Sequence, residues 1–188
     1  MSAANVATVT CPLGPRVRSF VGRKDNHNPA PDGLLPLAED SVDYLLSLFS
    51  NKTISASELV ALVGAHSTSR QFLTDKSRSG DPQDSTPGIW DVAFYRETLL
   101  PITPARIFRF ESDVGLSRDE RTKHVWTGFA GPFGQIPWNR AYAKAYVRMS
   151  LLGVYNINDL TECTEAVPLP VSLLRPPFLQ RPCKHGRD

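Results

Sequence analysis

The stretch Leu59-Val60-Ala61-Leu62-Val63-Gly64-Ala65-His66-Ser67 constrains this chain more than any other. From Leu59 to Ala65 it is apolar around most of a helical circumference. A helix with no face to give to water must be buried. Just upstream, Ser55-Ala-Ser-Glu58 fits a capping box, in which serine and glutamate satisfy each other's backbone N–H groups. The spacing therefore predicts a buried helix that delivers an imidazole, His66, at its end. A long polar stretch follows, and within it Asp84-Ser-Thr-Pro-Gly-Ile-Trp-Asp91 concentrates oxygen ligands.

The chain has 188 residues, enough for one domain with its own core. Its net charge of +2 creates no demand for nucleic acid or an acidic membrane. No apolar run is long enough to cross a bilayer as a helix. The first ten residues lack the basic start and apolar stretch of a signal peptide. Three cysteines, Cys11, Cys163 and Cys183, cannot all pair within one monomer. Cys183 and His185 are two ligands at most, too few for a zinc motif.

Proline and glycine at positions 12, 15, 29, 31, 33 and 36 mark an extended, turn-rich lead-in, assigned to residues 1–36. Val42, Leu45, Leu46 and Phe49 recur at helical spacing. Residues 67–90 lack strong periodicity, and a loop of that length inside a domain is usually functional or disordered. A short helix is expected over Asp91–Leu99 and a short strand over Ile107–Phe110. Ser117-Arg-Asp-Glu120 reads as a second capping box, opening a helix that runs to about Phe129. Trp138–Leu152 is a further helix, with Tyr142, Tyr146, Met149 and Leu152 on one stripe. Residues 168–188 hold five prolines and four Lys or Arg and read as an unpacked tail. Trp90, Trp126 and Trp138 read as core residues.

A lone histidine on a buried helix is more often a satisfied core residue than a ligand. A ligating imidazole needs an acceptor for its other nitrogen, to fix its tautomer. Asp113, in Phe110-Glu-Ser-Asp113, is a candidate. In the acidic loop Asp84, Thr86 and Asp91 supply hard oxygens, Ile89 offers a carbonyl, and Ser67 adds a hydroxyl. Calcium takes six to eight such oxygens. Read from composition alone, the loop is more simply an ordinary polar turn.

Gly64-Ala-His-Ser67 followed by Asp84-Ser-Thr-Pro-Gly-Ile-Trp-Asp91 resembles the proximal half of the fungal secreted haem peroxidases, the class II group of the plant-peroxidase superfamily. Lignin and manganese peroxidases belong to that group. Cys11-Pro-Leu-Gly-Pro15, Gly22-Arg-Lys-Asp25, Pro31-Asp-Gly-Leu34, Arg118-Asp-Glu-Arg-Thr122 and Leu160-Thr-Glu-Cys163 agree in order, so the resemblance covers about residues 4–167. It implies a mainly α fold: a proximal helical domain over 37–167 with a long calcium-binding loop, and no distal domain. It implies haem b and one calcium ion as cofactors. His66 matches the axial ligand of the haem iron, and Asp113 the carboxylate that accepts its Nδ1–H. Ser67, Asp84, Thr86, Ile89 through its carbonyl, and Asp91 match the calcium ligands.

The implied activity is oxidation of small organic donors by hydrogen peroxide (donor:hydrogen-peroxide oxidoreductase), in an extracellular setting. The family's distal Arg-x-x-Phe-His motif has no counterpart here, so no catalytic acid, base or charge stabiliser is identified. The sequence thus reads as a truncated form in which Met1 is an internal start. By the same resemblance, Cys11 has its disulfide partner upstream, and the partner of Cys163 falls at His124. The manganese-site aspartate falls at Phe72 and the surface tryptophan at Ala61, so neither manganese oxidation nor that tryptophan route is implied. Two further readings stand beside the peroxidase: a haem- or calcium-binding fragment without turnover, and a cofactor-free helical interaction module.

Overall fold

The structure, a computed structural model, describes residues 2–171. In chain order the elements are α1 (Ser2–Thr10), β1 (Phe20–Val21), α2 (Val42–Ser50), α3 (Ala56–Val63), α4 (Ala93–Thr98), α5 (Glu111–Arg118), α6 (Lys123–Ala130), α7 (Gln135–Ser150) and β2 (Thr161–Glu162). The fold is mainly helical. β1 and β2 form a single antiparallel ribbon that pairs Phe20 with Glu162 and Val21 with Thr161.

The centre is α3, and its sequence explains why. Leu59, Val60, Ala61 and Leu62 are all buried, on every side of the helix. Its start is the capping box read from the sequence: the Ser55 N–H donates to Glu58 Oε2 at 2.8 Å, and the Glu58 N–H donates to Ser55 Oγ at 3.3 Å. From α7, Arg148 ties Glu58 and the Thr53 carbonyl together. α3 packs chiefly along α7, whose buried stripe is Trp138, Tyr142 and Ala145. α4, α5 and α6 close the other sides and bring Phe94, Tyr95, Leu116 and Trp126 into one core. All three tryptophans are buried in it.

Where α3 ends, Gly64 opens a 3-10 turn over Gly64–Thr68. A Cβ at Gly64 would overlap both Tyr95 Oη and Trp138 Nε1. Tyr95 Oη donates to the Val60 carbonyl at 2.8 Å, and Trp138 Nε1 to the Ala61 carbonyl at 3.0 Å. Two core side chains thus fasten the end of α3 immediately before His66.

Several elements differ from the sequence reading. Residues Ser2–Thr10 are helical rather than extended. α1 has alanines to favour a helix but no charges at its ends and no clear apolar stripe to reveal one. Ile107–Phe110 is not a strand: apart from local turn bonds to Pro104 and Val114, its backbone bonds only from the Phe108 N–H to the Pro82 carbonyl, and it has no ladder. Ser117 does not cap a helix. It lies inside α5 and donates to the Val114 carbonyl at 2.8 Å, whereas α6 begins at Lys123 without a side-chain cap. A capping serine needs extended backbone, and α5 runs through this one. α7 starts at Gln135, because Pro137 is tolerated in a helix's first turn. At the start of the expected tail, the Val171 N–H donates to the Val9 carbonyl at 2.9 Å, so the first residues after the buried Val167 stay attached to α1. Cys183, His185 and the rest of 172–188 lie outside the described residues. Cys11 and Cys163 are free, half-buried thiols.

Candidate functional site

The turn after α3 aims His66 into a cleft of about 290 Å³ between α2, α3 and α5. Leu37, Leu45, Phe49, Leu59, Leu62 and Val63 give it apolar walls, and Met149 closes it from α7. The His66 side chain is 32% exposed, whereas the Asp113 side chain beside it is only 2% exposed. The two side chains meet at 2.9 Å, His66 Nδ1 to Asp113 Oδ2, across 47 positions of sequence. Phe94 and Phe110 set their rings edge-on to the imidazole at 5.6 and 5.4 Å between centroids. Burial pulls the imidazole pKa down, but the charge of Asp113 and its hydrogen bond outweigh that and raise it above the ordinary value. Among the described residues no hydrogen bond uses Nε2 of His66. The arrangement is a fixed imidazole with one nitrogen occupied and the other open at an apolar cleft.

The chain beyond His66 is braced by buried amide side chains. Gln71 Nε2 donates to the Asp75 carbonyl at 2.9 Å and also to the Arg78 carbonyl, which holds the 70–82 excursion closed. Ser69 donates to the His66 carbonyl at 3.0 Å and to Gln83 Oε1. That step connects the histidine turn to the residue before Asp84. Nothing in the sequence singled out Ser69, Gln71 or Gln83. A buried polar residue inside a polar stretch leaves no pattern.

Four of the five oxygen-bearing residues expected in the loop form one turn. The Thr86 N–H donates to Asp84 Oδ1 at 2.9 Å, and Thr86 Oγ1 donates to Asp91 Oδ1 at 3.2 Å. The Ile89 carbonyl accepts from the Asp91 N–H at 3.0 Å. Asp91 Oδ1 also accepts from the Ala93 N–H at 2.7 Å and so anchors the start of α4. Ser67, the fifth, lies in the 3-10 turn that packs on α4.

Two atoms here are buried without any hydrogen-bond partner: Ser67 Oγ and Asp84 Oδ2. Ser67 and Asp84 are each 0% exposed. Burying a bare carboxylate oxygen is costly unless a cation or donor meets it. Burial raises the Asp84 pKa; the Thr86 N–H opposes this and the charges of Asp91 and Glu97 add to it, for a result of about 7. Glu97, which sequence reasoning missed, reaches from α4 to accept from the Ser85 N–H at 2.9 Å. No cluster of three or more His, Cys, Asp or Glu is arranged for a metal among the described residues. The loop would rely instead on two carboxylates with hydroxyls and a carbonyl, a donor set of hard oxygens.

Comparison with known proteins gives a consistent result. Manganese peroxidase 3 of Phlebia radiata is 34% identical over 187 residues, covering 91% of this chain and 51% of its own length. The low-redox potential peroxidase of Taiwanofungus camphoratus is 35% identical, covering 89% of this chain and 54% of its own. Versatile peroxidase VPS1 of Pleurotus eryngii is 32% identical, with 92% and 50% covered. The chain spans about half the length of these curated relatives. The peroxidase family pattern matches residues 1–131. That match runs through His66, the Asp84–Asp91 turn and Asp113 alike, and the chain belongs to the peroxidase family.

Proposed function

We propose that this chain is the proximal, haem-binding half of a fungal secreted peroxidase. His66 would ligate the iron of haem b through Nε2. Asp113 would hold the Nδ1 proton and give the imidazole anionic character. Haem, when bound, supplies the iron that takes oxidising equivalents from hydrogen peroxide and passes them to a small organic donor. The observation that carries this reading is the 2.9 Å His66–Asp113 contact with Nε2 left open beside an apolar cleft. Ser67, Asp84, Thr86, the Ile89 carbonyl and Asp91 would hold one calcium ion. The partnerless Ser67 Oγ and Asp84 Oδ2 fit that role, since a cation would complete both. Because Ser67 adjoins His66, that ion would also steady the iron ligand.

The test is titration of haemin into the 188-residue chain. The expected result is a Soret shift that His66→Ala removes. Identical binding by the variant would exclude His66 as the ligand. Because the imidazole holds its proton tightly, binding should release a proton and tighten as pH rises.

A second reading, haem and calcium binding without turnover, is favoured by one observation: no Arg-x-x-Phe-His sequence occurs in these residues. Haem cannot by itself supply the acid, base and charge stabilisation that peroxide cleavage needs. The haemin-loaded chain should oxidise a dye with hydrogen peroxide no faster than free haemin. Rapid oxidation would rule this second reading out.

A further inference from the structure

The chain leaves His66 and returns to Asp84 through two short segments that run side by side. Arg70 and Pro82 face each other in an antiparallel bridge, and the Gln71 N–H donates to the Asp81 carbonyl at 3.0 Å. On the other edge of the returning segment, the Phe108 N–H donates to the Pro82 carbonyl at 2.8 Å. In that register Ser69 and Gln83 stand directly opposite each other, where the side chains of an antiparallel pair meet. They are in contact, Ser69 Oγ against Gln83 Oε1. Gln83 is polar, yet only 1% exposed.

A count of hydrogens sets the direction of this contact. A serine hydroxyl has one hydrogen to give. The Ser69 hydroxyl faces two acceptors, the His66 carbonyl at 3.0 Å and Gln83 Oε1, and can serve only one of them. Gln83 Nε2, meanwhile, is a buried donor with no acceptor. A buried N–H without a partner is rarer than an oxygen left short of donors. Half a turn of the amide about its last bond removes both conflicts. Nε2 then donates to Ser69 Oγ, and the hydroxyl hydrogen goes to the His66 carbonyl. We infer that Gln83 is a positioning residue for His66: acting through Ser69, it holds the histidine turn in place without help from a metal ion. The inference rests on the haem and calcium readings above.

The relay matters because it contains only side chains. Ser67 Oγ has no partner among the described residues, so it can brace the turn only through a bound cation. Gln83 adjoins Asp84, and the Ser69 hydroxyl ends on His66 itself, so the two turns stay joined when the cation leaves. The Ser69 N–H donates to the same His66 carbonyl at 3.2 Å, and residue 69 thus grips it twice. Calcium is then one brace of two, and His66 loses its place only when both are gone.

The experiment is haemin titration by Soret shift, with calcium and with a calcium chelator. Gln83→Met keeps the bulk of the side chain and removes its donor. Ser69→Ala removes the middle hydroxyl, and Ser69→Thr keeps it. Chelation should change the affinity of the unsubstituted chain and of Ser69→Thr little. It should lower that of Gln83→Met and of Ser69→Ala about 10-fold. Because the two residues act in series, the double variant should lose no more than either single one. The relay is overturned if chelation affects all the chains alike, or if the two losses add. Hydrogen exchange of the backbone amides of residues 66–71, in chelator and without haemin, reads the relay apart from the haem. Faster exchange in both variants is expected, and unchanged exchange would overturn the relay. A Soret shift that survives His66→Ala would instead overturn the haem reading, with the exchange result left to judge the relay.

Discussion

Asp113 and Asp84 are both carboxylates sunk in the protein, 1% and 0% exposed, in opposite circumstances. Asp113 meets the His66 imidazole at 2.9 Å and forms a pair that is complete within the chain. Asp84 receives the Thr86 N–H on one oxygen and nothing on the other. Asp91 and Glu97 add negative charge nearby, and its pKa climbs to about 7. The cleft side of the site is thus assembled by folding. The loop side carries an electrostatic deficit that a divalent cation would cancel.

That contrast can be broken in four ways. The largest effect should come from calcium. At a concentration a hundredfold above its Kd it should stabilise the chain by ~2.7 kcal/mol in urea unfolding. Asp84→Asn should abolish the gain; an equal gain in the variant would place the cation elsewhere. Next, Asp113→Asn should weaken haemin binding about 10–100-fold by Soret titration, as removal of a ligand's hydrogen-bond partner usually does. Unaltered affinity would make the pair a packing feature.

The third test uses pH in a chelator. A carboxyl whose folded pKa is raised favours folding when protonated. The Asp84 contribution is therefore fully present below its ordinary value of 3.8 and is lost as pH rises through about 7. Unfolding experiments between those limits should show stability falling toward neutral pH, a slope that Asp84→Asn flattens. A profile identical in the variant would show that Asp84 does not titrate in this range. The smallest effect should come from Ser55→Ala. Losing the cap of α3 should cost ~1 kcal/mol with or without calcium. A calcium-dependent cost would mean that the two regions are coupled through α3.

What could be read from the sequence was what is local. The Ser55–Glu58 cap and the apolar girth of α3 lie within one stretch of chain, and both are present. The Asp84–Asp91 turn was visible for the same reason, since its bonds span a few residues. The His66–Asp113 pairing crosses 47 positions, so the residues alone offered Asp113 only as a candidate and the family resemblance singled it out. β1 and β2 are two residues each and pair across the chain, so they left no trace. Ser117-Arg-Asp-Glu120 misled because the letters of a cap do not carry its backbone conformation. Glu97 escaped notice because one carboxylate on a short helix looks like a solvated side chain until the loop folds onto it.

Gly64 has a consequence that reaches past its own turn. Any L side chain there would displace the Tyr95 hydroxyl and the Trp138 indole from the carbonyls of α3. His66 is two residues downstream, so the same displacement would shift the imidazole. An atom that is missing at position 64 therefore sets the tolerance of the whole site. Substitutions in the core and substitutions at His66 are not independent in this chain, because they meet at one α-carbon.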